Sequence, residues 1–145
     1  MDNGKNIQIF IAQKTMRRIA KPVREIPFIL AHTPHTLREL IEEAVKTCIS
    51  AYRQRAADAD RPHPLTDEEL DGMQEIGKIA FGVHYNENEI DEAQAIDTAI
   101  CAMQDGLVRV FRENVELTAL DEPFEIAAGD RFTFVRLTML TGRMW

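Results

Sequence analysis

Leu107-Val108-Arg109-Val110-Phe111 and Arg131-Phe132-Thr133-Phe134-Val135-Arg136-Leu137-Thr138-Met139-Leu140 are the two stretches whose reading decides the fold. Both are rich in β-branched and aromatic residues that alternate with polar ones, the pattern of a strand with one buried face. Asp105-Gly106 just before the first is a helix ending, because glycine takes the left-handed conformation without a Cβ clash. Ala127-Ala128-Gly129-Asp130 before the second is a turn. Between them, Asn114 offers another turn, and Val115 to Leu117 and Phe124 to Ile126 predict two short strands.

Working back along the chain, Asp91 caps a helix whose buried face is Ile96, Ala99, Ile100 and Met103. Thr66-Asp67-Glu68-Glu69 opens a shorter helix carrying Leu70, Met73 and Ile76, which should fray near Gly77. Pro62 and Pro64 mark a break before it. The clearest helix opens at Thr36-Leu37-Arg38-Glu39, a capping box in which Thr36 caps a free N–H and Glu39 reaches back to the N–H of Thr36. Leu37, Leu40, Ile41, Ala44, Val45, Cys48, Ile49 and Tyr52 then form one apolar stripe, which must be buried against another element. Ile7 to Gln13 and Val23 to Ala31 read as a hairpin, with Pro22 and Pro27 confining the second strand to an edge or an irregular pairing. The elements in order are a hairpin, a long helix, a helical segment and then strands. That order predicts an α+β fold, residues 1–145 forming one unit with a helical insertion over about 54–105.

The chain has 145 residues, 45% of them hydrophobic, enough for a sizeable core. Its net charge of −7 argues against nucleic-acid binding, which draws its affinity from Lys and Arg displacing counterions. Arg17, Arg18, Lys21 and Arg24 form one candidate basic patch, read as the solvated tip of the hairpin. No apolar run is of membrane-spanning length and no signal-peptide layout is present. The expectation is a cytoplasmic protein whose two cysteines, Cys48 and Cys101, are reduced and lie on apolar helix faces.

The order of elements resembles the β-grasp, or ubiquitin-like, fold. Its last third is similar to the small sulfur carriers of molybdopterin and thiamine synthesis: Leu107, then Val115-Glu116-Leu117, Pro123-Phe124-Glu125-Ile126, the Gly129-Asp130 turn, Arg131-Phe132-Thr133-Phe134, and Gly142. In that family the final strand delivers a C-terminal glycine whose carboxylate is activated. The resemblance implies a ubiquitin-like mixed sheet. It also implies, as one alternative, a modifier or sulfur carrier that becomes active once Arg143-Met144-Trp145 is removed after Gly142.

The residues themselves offer little chemistry. His32 and His35 have a two-ligand spacing but no third ligand nearby, and His63 and His84 would have to arrive through folding. Asn86-Glu87-Asn88-Glu89-Ile90-Asp91-Glu92 lacks the glycine and final glutamate of a calcium loop. Ser50, the sole serine, lacks a strained glycine elbow, and Gly77-Lys78-Ile79-Ala80-Phe81-Gly82 is mis-spaced for a phosphate loop. No motif calls for a metal or cofactor. The sequence therefore points to a non-catalytic module with a protein partner. The candidate contacts are the sheet face near Arg109 and Arg136, the tail from Gly142 to Trp145, and the irregular segment around Tyr85.

Overall fold

The computed structural model describes residues 6–15, 25–57, 67–83, 85 and 90–137. Five strands and three helices follow one another as β1 (Ile7–Thr15), β2 (Ile26–Leu30), α1 (Leu37–Ala57), α2 (Asp67–Ala80), α3 (Glu92–Gln104), β3 (Val108–Arg112), β4 (Val115–Leu117) and β5 (Arg131–Arg136). The strands form one mixed sheet in the order β2-β1-β5-β3-β4. β1 and β5 pair in parallel, and every other pairing is antiparallel. The class is α+β, as the order of elements predicts.

Register sorts the sheet's side chains into two sets, because successive residues of a strand point to opposite faces. Ile9 pairs with Phe28, Ile11 with both Ile26 and Phe132, and Val110 with Phe134. All of these residues are buried in the core beneath the helices. α1 contributes Leu37, Leu40, Ile41, Ala44, Val45, Cys48 and Ile49 to that core, the stripe visible in the sequence. The helix continues past Tyr52 to Ala57. α2 is no appendage, since Met73, Ile76 and Ala80 join the same core, and Phe81 beyond its end meets Phe134 edge to face at 5.0 Å between ring centres. α2 also runs through Gly77 instead of fraying there.

The helix ends follow local rules. Thr36 Oγ1 accepts the N–H of Glu39, and Glu39 Oε1 accepts the N–H of His35 at 2.7 Å. The capping box therefore closes one residue earlier than expected, on His35, whose carbonyl accepts the N–H of Phe124 beside the Thr36–Pro123 β-bridge. Asp91 caps α3 by accepting from the N–H of Gln94. At the other end of α3, Gly106 has φ +79°. The N–H of Leu107 bonds to the carbonyl of Ala102 and that of Gly106 to Met103, which closes the helix with a Schellman motif.

Pro27 lies in the middle of β2, and hydrogen bonding explains why it is tolerated. The N–H of Phe10 bonds to Asp130, so Phe10 directs its backbone toward β5. Pro27 faces Phe10 in register, hence forms a pair without mutual hydrogen bonds, and its missing N–H falls on the outer edge of the sheet.

The expected strand at Phe124–Ile126 does not form. That segment is held by tertiary bonds: Phe124 donates its N–H to His35, and Arg38 donates its N–H to Leu120 and its guanidinium to Asp121. Arg112 completes the arrangement, donating to the carbonyl of Glu125 and to Asp130 and lying 5.5 Å from the ring centre of Phe124. Asp130 Oδ2 also accepts the N–H of Ala127, and Gly129 has φ +89°, so the Gly-Asp turn forms as expected. Residues 138–140, expected as the end of the last strand, lie outside the described residues, as do Val23 and Thr66.

Candidate interaction surface

The second set of sheet side chains faces away from the helices. On β1 it comprises Gln8, Phe10 and Ala12; on β2, Pro27 and Ile29; on β5, Arg131, Thr133 and Val135; on β3, Arg109 and Phe111; and on β4, Glu116. None of the apolar members belongs to the core cluster or packs against it. Ile29 is 37% exposed and Phe10 and Phe111 are half-buried, whereas Ala12, Pro27 and Val135 are buried.

Two ion pairs frame this face. Arg131 Nε lies 3.4 Å from Glu25 Oε1, and Arg109 Nε lies 3.4 Å from Glu116 Oε2. All four side chains are more than a third exposed or close to it, so solvent screens the pairs and their contribution is at most about 1 kcal/mol each. They set the charge of the rim, not its stability.

The two arginines singled out in the sequence separate here. Arg109 pairs with Val135 and lies on the face turned away from the helices, whereas Arg136 pairs with the buried Val108 and lies on the helical face. A period of two places 109 and 136 on opposite faces once β3 and β5 are antiparallel in this register, and no single-strand pattern could reveal it. The face also includes Phe10 and Ile29, which sequence reasoning assigned only to strands. Their alternation with Ile9, Ile11, Phe28 and Leu30 was the available signal.

Tyr85 occupies a different place, the junction of α1 and α2. Its ring stacks on Tyr52 with centroids 4.8 Å apart, and its hydroxyl donates to the carbonyl of Gln74 at 3.0 Å. Burial, followed by the nearby Cys48, pushes its phenol above the ordinary tyrosine range. Cys48 is wholly buried, its thiol donates to the carbonyl of Met73, and burial raises its pKa well above that of a free thiol. Such a thiol is a packing group and a poor nucleophile. Arg53, next along α1, donates to the carbonyl of Ile90 and lies 3.7 Å from Glu92, tying the start of α3 to the junction. An open, polar cleft of about 360 Å³ runs beside Tyr85, lined by Asp71, Gln74, Glu75 and Lys78.

Cys101, expected on the apolar face of α3, is exposed; Ala99 and Ile100 take the buried positions of that helix. Both cysteines are free thiols. His32 Nδ1 lies 3.6 Å from Glu43 Oε2, and His35 takes part through its backbone in the cap of α1. Among the described residues, no group of three His, Cys, Asp or Glu side chains could hold a metal ion, and no helix is long and apolar enough to cross a membrane. Gly142, Trp145, His63, His84, the Asn86–Glu89 run and the basic cluster from Arg17 to Arg24 lie outside the described residues.

Comparison of the chain with models of known protein families, with curated proteins and with solved structures found no match.

Proposed function

We propose that this protein is a non-catalytic, ubiquitin-like binding module that engages a protein partner through the sheet face turned away from the helices. The observation that carries this reading is the asymmetry of the sheet. One face lies under three helices, while the other presents Phe10, Ile29 and Phe111 within a rim of two ion pairs. Half-buried aromatic and exposed aliphatic side chains inside a polar rim are the composition of a protein–protein contact. The β-grasp reading is supported by the sheet order, with first and last strands parallel at the centre, and by α1 packed across the sheet between the hairpin and the later strands.

The test is affinity capture from the native host with three proteins: the wild type, an Ile29→Asp/Phe111→Asp variant, and a Lys78→Glu control altered at the cleft beside Tyr85. Circular dichroism first establishes that all three are folded. The reading expects partners shared by wild type and control to be lost from the face variant. An unchanged partner set on the face variant would sink it.

A modifier or sulfur carrier is the second reading, favoured by the central position of β5, the strand that leads toward Gly142. It requires a form ending at Gly142 with a free carboxylate or thiocarboxylate. Intact mass of the protein from its host would detect that form, and its consistent absence removes this reading.

A further inference from the structure

We draw no further inference here: the strongest candidate, the apolar sheet face around Phe10, Ile29 and Phe111, belongs to the site already described, and nothing in the structure shows what covers it.

Discussion

The hydroxyl of Tyr85 fills the space that a side chain on Gly77 would need. Cys48 closes the same position from α1, its Cβ and Sγ each 3.1 Å from where a Cβ on Gly77 would stand. The glycine is thus what lets α1, α2 and the Tyr85 ring meet.

Gly77→Ala should therefore reverse the usual rule for helices. In an open helix the change gains about 0.5–1 kcal/mol. Here the methyl must displace Tyr85 and crowd Cys48, at a cost of about 1–3 kcal/mol. Urea denaturation of Gly77→Ala, Tyr85→Phe and the double variant measures it. The penalty of the alanine should shrink in the Tyr85→Phe background, because the two positions share one space. A stabilised Gly77→Ala would contradict the packing.

The same junction predicts sensitivity to alkali. The pKa values of Cys48 and Tyr85 are both raised in the folded protein, so the native state holds their protons more tightly than the unfolded chain does. Their contribution to stability is intact below the unfolded values, about 8.5 for the thiol and about 10 for the phenol. It falls as pH rises beyond them toward the folded values. Denaturation midpoints between pH 7 and pH 10.5 should decline, and less steeply in a Cys48→Ala/Tyr85→Phe variant. At pH 8 a thiol reagent should modify Cys101 quickly and Cys48 only as fast as the α1–α2 contact opens.

On the other side of the molecule, Arg38 donates to both carboxylate oxygens of Asp121, at 2.8 and 3.2 Å. This hydrogen bonding holds the carboxyl of Asp121 below the usual aspartate range. The pair therefore supports the fold above the unfolded aspartate pKa of about 3.9 and loses that support as pH falls through the depressed folded value. Carbon-detected NMR titration should place Asp121 below the usual aspartate range, and Arg38→Ala should raise it toward that range. An unchanged titration in the variant would rule out Arg38 as the cause.

Arg112 should matter more than its place on a short strand suggests. Removing it leaves the Glu125 carbonyl and the Asp130 carboxylate without their charged donor, and hydrogen bonds to charged groups contribute about 1.5–3 kcal/mol. Arg112→Met, which keeps the hydrophobic stem, should lower stability by about that amount and speed amide exchange at Ala127. Wild-type exchange there would mean that the turn stands without Arg112.

Gln13 provides a change expected to stabilise. It pairs with Phe134 on the helical face of the sheet, and its buried Nε2 has no hydrogen-bond partner among the described residues. A buried donor left unmet costs about 1–3 kcal/mol. Gln13→Met keeps the length, removes the donor and should raise the denaturation midpoint. A lower midpoint would show that the amide is satisfied in solution.

What the sequence by itself determined is local. The stripe from Leu37 to Ile49, the caps at Thr36 and Asp91, the glycine stop at Gly106 and the Gly129-Asp130 turn depend on neighbours within a few residues, so periodicity and turn chemistry reveal them. The α+β class followed from their order. Tertiary structure alone decided the rest. Phe124–Ile126 has a strand's composition, yet its backbone partners are His35 and Arg112, distant in sequence. Arg109 and Arg136 look alike on paper, but antiparallel register puts them on opposite faces. Gly77 reads as a weak point of a helix, and only the approach of Tyr85 and Cys48 makes it a requirement. In each case the deciding contact joins residues beyond the reach of local periodicity, and its geometry exists only once the elements pack together.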